Sequence, residues 1–166
     1  MSVQEKDAAN SICFGGGPAN KKGLRIKSYR NNKGLEMAVE TSQEHQAFPG
    51  VINGGIIGTL LDCHGNWVAA IALMDKLGEE NPPCTVTASY NIKLRRPTPA
   101  NSKLFIQGEV LEIKEKMVKV GVTMKADGKL CATGEGVFVA LKEDHPAFQR
   151  LDSKDLSCKI YNFQTK

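Results

Sequence analysis

Beyond Leu24 the order of apolar and polar positions divides the chain into one helix and several strands. Leu24 and Ile26 alternate with charged residues up to Arg30. Asn31-Asn32-Lys33-Gly34 then offers turn residues, and Leu35, Met37 and Val39 alternate with Glu36 and Glu40. That period of two predicts a hairpin. After a loop from Ser42 to Ile52 containing Pro49-Gly50, the period changes. Ile56, Ile57, Leu60, Leu61, His64, Trp67, Val68, Ile71 and Met74 recur at spacings of three and four, which predicts an amphipathic helix from Gly54 to about Lys76. Gly78 is placed to cap its C-terminus.

The remainder reads as β. Val86, Ala88, Tyr90, Ile92 and Leu94 are expected on one face of a strand, with Thr85, Thr87, Ser89, Asn91 and Lys93 on the other. Pro97 and Pro99 end that strand. Two more strands are expected over Leu104–Ile113 and Met117–Lys125, and Asp127-Gly128 turns the chain into a last one over Leu130–Leu141. One long helix followed by a meander of antiparallel strands packs when the sheet curls over the apolar stripe. The class is therefore α+β. Residues 1–22, with Gly15-Gly16-Gly17-Pro18, are expected to form a flexible leader with little regular structure. The domain proper is expected over 23–142, and 143–166 reads as a mostly polar tail.

Composition narrows this picture only slightly. With 41% hydrophobic and 24% charged residues in 166, the chain is expected to be one soluble domain. No apolar run is expected to reach the roughly 20 residues of a membrane helix. The first ten residues lack the apolar stretch of a secretory signal, so a cytoplasmic location is expected. A net charge of +4 with only 6% aromatics argues against nucleic acid and suits an anionic small molecule. Cys13, Cys63, Cys84, Cys131 and Cys158 form no C-x-x-C pair. They imply no metal and are expected to be mostly small packed thiols.

Candidate chemistry lies on the helix, roughly opposite the apolar stripe, where Gly55, Gly58, Asp62, Gly65, Asn66 and Ala69 fall. Glycine inside a helix costs up to about 1 kcal/mol relative to alanine, so close approach by a backbone or a ligand is expected to offset it. Asp62 is the single carboxylate in that strip. It is either an Asp held by a neighbouring donor, an ordinary surface Asp, or a catalytic group. Asn53-Gly54-Gly55 at the helix start exposes backbone N–H groups suited to an oxyanion hole. Asp62 lies about 12 Å further along the helix rise, so one site using both needs two chains.

The run from Phe48-Pro49-Gly50 through Asn53-Gly54-Gly55 to Asp62 resembles the His-Gly-Gly…Asp signature of PaaI-like hotdog thioesterases. Val86-Thr87-Ala88-Ser89-Tyr90 through Leu94-Arg95-Arg96-Pro97 is similar to that family's second strand. Asn20-Lys21-Lys22-Gly23-Leu24 is similar to its opening Asn-x-x-Gly-Leu. The resemblance covers roughly residues 13–141. It implies a hotdog fold, a long central helix wrapped by a curved antiparallel sheet, assembled as a homodimer or a dimer-of-dimers homotetramer with composite sites. It implies an acyl-CoA substrate with no cofactor beyond the CoA it carries, and no nucleic-acid or membrane partner. Asp62 would act as general base or nucleophile, Gly54 N–H would hold the carbonyl oxygen, Gly55 would join the binding loop, and Thr87 would orient the attacking water. Lys93, Arg95 and Arg96 would either meet CoA phosphates or remain solvated strand-end charges.

Asn53 departs from the signature, since His is usual there. It can hydrogen-bond but not titrate near neutral pH. The expectation is altered substrate handling more than lost chemistry. His64 is expected to pack in the core, His45 to lie at the surface or line a pocket, and Cys63 to pack. Two alternatives stand beside hydrolysis: a non-catalytic acyl-CoA-binding protein, argued from Asn53, and a hotdog dehydratase or hydratase, faintly suggested by His45 ahead of Phe48-Pro49-Gly50.

Overall fold

The computed structural model describes residues 1–142; the tail from 143 lies outside the described residues. In chain order the elements are α1 (Val3–Asp7), β1 (Tyr29–Asn31), β2 (Gly34–Val39), β3 (Gln46–Phe48), β4 (Val51–Ile52), α2 (Gly54–Leu77), β5 (Thr85–Leu94), β6 (Leu104–Lys114), β7 (Met117–Ala126) and β8 (Lys129–Ala140). Six strands form one antiparallel sheet in the order β1-β2-β6-β7-β8-β5, and β3 pairs with β4 apart from it. The sheet wraps α2, giving the hotdog arrangement expected.

Each strong sequence signal has a local cause here. Asp127 (φ 49°) and Gly128 (φ 73°) both take positive φ, the geometry of the tight turn that matches strand twist. Gly78 caps α2 in the left-handed region at φ 68°, its N–H donating to Met74 and Asp75 carbonyls. At the other end Asn53 is the N-cap, its side-chain oxygen accepting from Gly55 N–H.

The helix is apolar on more than one face because it is covered on more than one face. Leu60, Leu61, Val68, Ala69, Leu73 and Met74 are all buried, beside Leu104, Ile106, Val120, Met124 and Phe138 from the sheet. Gly65 belongs to this packing. A Cβ there would lie 2.9 Å from Phe138 Cζ, so the glycine admits an aromatic ring from β8. The close approach expected at the small-residue strip is thus a side chain at Gly65, with Ala69 also fully buried. By length and composition α2 could cross a membrane, contrary to expectation, but 61% of its most apolar window is buried inside the fold. It is a core helix.

Residues 1–22 carry one short capped helix and close packing. Ser2 and Glu5 form a capping box on α1, and Gln4 is fully buried. Gln4 Nε2 donates to Ser28 Oγ (2.9 Å), and Ser28 N–H donates back to Gln4 Oε1 (2.8 Å). Ser28 Oγ lies 2.8 Å from His64 Nδ1, and His64 Nε2 lies 3.1 Å from the Leu35 carbonyl. A carbonyl only accepts, so Nε2 carries the proton and Nδ1 accepts from Ser28. His64 is 0% exposed, as expected of a core residue, and desolvation pulls its pKa down to about 4.

The regular alternation expected along β5 is broken. Thr87 pairs with Phe138 but Ser89 with Val137, a bulge at Ala88. An extra residue reverses the side-chain parity beyond it. Thr85 and Thr87 therefore face α2, as do Tyr90, Ile92 and Leu94 beyond the bulge, which approach Gly58 and Gly54 of the helix. Ser89, Asn91 and Lys93 turn to the outer face.

Candidate active site

The bulge matters because of what precedes it. Thr87 Oγ1 donates to Asp62 Oδ1 at 2.8 Å, joining β5 to the middle of α2. Both residues are half-buried. Among the described residues no other hydrogen bond reaches the Asp62 carboxylate. One turn further along α2, Asn66 Nδ2 donates to the Thr85 carbonyl (3.2 Å) and Thr85 Oγ1 donates to Asn66 Oδ1 (2.8 Å). These two rungs fix the distance between helix and strand at the carboxylate.

Asp62 and Thr87 open into a cavity of about 310 Å³ between the leader, α2 and the start of β5. Its wall is largely apolar, with Ala8, Trp67, Ala70, Pro82, Pro83 and Val86, while Cys13 and Cys63 stand beside the carboxylate. A carboxylate beside an apolar cavity can activate water, or attack an acyl carbon, while a hydrocarbon group sits alongside. Among the described residues no group of three or more His, Cys, Asp or Glu side chains is placed to hold a metal.

The loop leading into α2 is held from two sides. Ile52 N–H donates to the Thr98 carbonyl, Ala100 N–H to the Gly50 carbonyl, and Asn53 N–H to the His45 carbonyl, each at 2.9 Å. Asn53 Oδ1 is occupied as the helix cap, 2.7 Å from Gly55 N. Gly54 is exposed as the first residue of α2, where the N–H has no intrahelical acceptor, and no other acceptor is paired with it among the described residues. His45 is half-buried, with its Nδ1 accepting from Ser42 N–H (3.1 Å).

The expected site residues thus fall into three groups. Asp62 and Thr87 come together. Asn53, Gly54 and Gly55 sit at the start of α2, eight or so residues away from Asp62, and do not converge on it within one chain. Lys93 and Arg95 line a separate cavity of about 390 Å³ on the outer face, in company with Glu109 and Glu135. Arg96 is exposed, with its N–H donating to the Cys131 carbonyl.

A thioesterase superfamily model matches residues 49–132, from the loop before α2 into β8. The chain belongs to the thioesterase superfamily. A thioesterase superfamily protein from Shewanella loihica PV-4 is 32% identical, covering 75% of this chain and 97% of that one, with a TM-score of 0.58. Lower identities accompany the same fold in two streptococcal proteins. The smu.793 protein of Streptococcus mutans UA159, solved bound to acetyl CoA, is 19% identical over 70% of this chain and 88% of that one (TM-score 0.59). A hypothetical thioesterase of Streptococcus pneumoniae TIGR4, solved with coenzyme A, is 15% identical over 69% and 87% (TM-score 0.59). No curated protein matches the chain.

One residue lining this cavity was not singled out from the sequence. Cys13, one of five cysteines expected to be mostly packed thiols and placed where related chains can carry a cysteine cluster, is exposed, borders the same cavity as Asp62 and lies 4.0 Å from Cys63, sulfur to sulfur. The Cys63 S–H, helped by the Gly16 and Gly15 N–H groups, pulls its pKa down to about 5 against the effect of burial, whereas Cys63 is pushed up by the same contact and by burial. Besides the family position of Cys13, the signal in the chain was the glycine run, Gly15-Gly16-Gly17, which lets the leader lie close on α2. A Cβ at Gly15 would meet Cys63 Sγ at 2.2 Å.

Proposed function

We propose that this member of the superfamily is a PaaI-like acyl-CoA thioesterase that hydrolyses an acyl-CoA to the free acid and CoA. The observation that carries the reading is the 2.8 Å hydrogen bond from Thr87 to Asp62 at the edge of a largely apolar cavity. Asp62 takes a proton from water as the water oxygen attacks the thioester carbonyl, or attacks that carbon itself to give an anhydride that water then opens. Thr87 holds one carboxylate oxygen so that the other faces the substrate. In either route the C–S bond breaks and the CoA sulfur leaves. The acetyl-CoA and CoA complexes of the two streptococcal proteins support this ligand class on this fold.

The oxyanion is assigned to Gly54 N–H of a second copy. The helix rise between Gly54 and Asp62, about 12 Å, is too long for one chain to supply both. β5 is an edge strand, and Tyr90 and Leu94 on it are 54% and 56% exposed, which suits burial against another subunit. We therefore assign a homodimer as the smallest active unit.

The test is thioester loss from short-, long- and aryl-chain acyl-CoAs by the wild type and by Asp62→Asn. The reading expects turnover on at least one class and a loss of roughly 1,000-fold or more in the variant with the oligomer intact, in line with removal of an activating base or nucleophile. A second reading, an acyl-CoA-binding protein without turnover, draws on Asn53, whose side-chain oxygen is committed to capping α2. Measurable CoA binding with no wild-type turnover would favour it.

A further inference from the structure

Two of the cysteines are fifty residues apart in sequence and adjacent in space. Cys13 Sγ and Cys63 Sγ are 4.0 Å apart, on two walls of the cavity that also holds Asp62. Cys63 immediately follows Asp62 on the rigid middle of α2. Cys13 lies on the leader, where its N–H donates to Ser11 Oγ (3.3 Å) and its carbonyl accepts from Gly17 N–H (2.9 Å). The leader is itself pinned near this point, with Leu24 N–H donating to the Phe14 carbonyl and Ile26 N–H to the Gly15 carbonyl. Cys13 is exposed and Cys63 half-buried.

We propose that Cys13 and Cys63 form a two-thiol modification site that a hydroperoxide converts to an intramolecular disulfide beside Asp62. Geometry assigns the roles. Cys13 is the accessible sulfur, and two backbone N–H groups together with the Cys63 S–H stabilise its thiolate, so it is the attacker. Its sulfur attacks one peroxide oxygen, the O–O bond breaks, and hydroxide leaves, giving a sulfenic acid at Cys13. The Cys63 sulfur then attacks the Cys13 sulfur. An S–S bond forms, the S–O bond breaks, and the Cys63 proton leaves with the departing oxygen as water. The two sulfurs together lose two electrons and the peroxide gains two. Cys63 is the resolving thiol because it is the adjacent, less exposed sulfur. Its contact with the Cys13 thiolate and burial keep it a thiol at first. Conversion of Cys13 to a neutral sulfenic acid removes that contact's charge and frees Cys63 to ionise as it attacks.

Closing the bond brings the sulfurs from 4.0 Å to about 2.0 Å. α2 is fixed by the core, so the leader moves, drawing Cys13 inward and narrowing the cavity mouth at the carboxylate. Formation of the disulfide does not depend on the hydrolase reading. Its effect on turnover does.

The experiment treats the full chain with stoichiometric hydrogen peroxide, alkylates all remaining thiols after unfolding, and maps the digest by mass. The expected result is loss of two thiols and a cross-linked peptide pair carrying Cys13 and Cys63, reversed by a reductant. In Cys63→Ser the expected result is a Cys13 sulfenic acid trapped by dimedone, with no cross-link. Gly15→Ala, which keeps both thiols but pushes the leader off Cys63, is expected to lose the cross-link as well. A link from Cys13 to Cys84, Cys131 or Cys158, or Cys13 still fully alkylatable while other thiols oxidise, overturns the site. Turnover is followed by the thioester's ultraviolet absorbance, since disulfide reagents would oxidise the same thiols. A cross-linked protein as active as the reduced one overturns the gating. A reduced protein without turnover refutes the hydrolase reading and leaves the thiol site standing.

Discussion

Thr87→Val tests whether the strand–helix hydrogen bond positions the reactive carboxylate. Valine keeps the β-branched shape and removes only the donor, so packing at the bulge is preserved. The bond lost runs from a hydroxyl to a carboxylate at 2.8 Å, and such charge-assisted bonds contribute about 1.5–3 kcal/mol. Both partners are only half-buried, which favours the lower end. If the bond holds Asp62 in its reactive rotamer, that energy appears in the barrier, and kcat falls by roughly 10- to 100-fold at about 1.4 kcal/mol per decade. Thr87→Ser restores the donor and is expected to stay within about threefold of wild type, on the same scale.

The assay is kcat and KM for the best acyl-CoA, alongside the denaturation midpoint of each variant. A positioning role predicts that kcat falls with little change in KM, and that adding Thr87→Val to Asp62→Asn costs nothing further, because the two act as one unit. Full activity in Thr87→Val would refute the reasoning, as would a loss equal in the serine and valine variants. The first result would leave the bond as a strand anchor, and the second would point to shape.

Further outcomes follow at Gly65, Asn53 and His64. Gly65→Ala puts a methyl 2.9 Å from Phe138 Cζ and is expected to destabilise the fold by about 1–3 kcal/mol, read by urea denaturation. Asn53→Ala removes the α2 cap and is expected to cost about 1 kcal/mol, whereas Asn53→His, with turnover measured across pH, is expected to change the acyl preference or the pH profile. His64 has its folded pKa lowered to about 4 from the ordinary 6.5, so between those values the unfolded chain binds the proton and the folded one does not. Stability carried by neutral His64 is therefore complete above about pH 6.5, is lost as pH falls towards 4, and amounts to about 3 kcal/mol over that window. His64→Gln is expected to flatten that part of the stability–pH curve, and an unchanged slope between pH 7 and 5 would sink the assignment.

The helix and the meander were legible because each obeys a single local period. Eight apolar positions and His64 at spacings of three and four located α2 to within a residue of its observed end, and Gly78 and Asp127-Gly128 marked turns that positive φ makes necessary. The bulge at Ala88 was not legible. Val86, Ala88, Tyr90, Ile92 and Leu94 are apolar at every second position, and that pattern describes an unbroken strand as well as one that reverses parity midway. The small-residue strip was ambiguous for a related reason. Gly65 and Asp62 share a helix side, but one faces a phenylalanine from β8 and the other a cavity, a distinction that depends on which strand lies above each turn.

The same limit applies to Asp62 and Thr87. Asp62 stood out alone because a carboxylate among glycines conflicts with a solvated face, but its pairing with Thr87 came from family resemblance. No spacing rule links two residues on different elements. The bulge at Ala88 lets the strand keep Thr87 on Asp62 at 2.8 Å while Tyr90 and Ile92 also face α2; in an unbroken strand either Thr85 and Thr87 or Tyr90 and Ile92 would face it, but not both sets. The strand thus supplies a polar grip on Asp62 at one end and apolar cover for Gly54 and Gly58 at the other. That division sets Asp62 beside the open cavity and leaves the Gly54 N–H at the exposed start of α2, so a site that used both would draw on two chains.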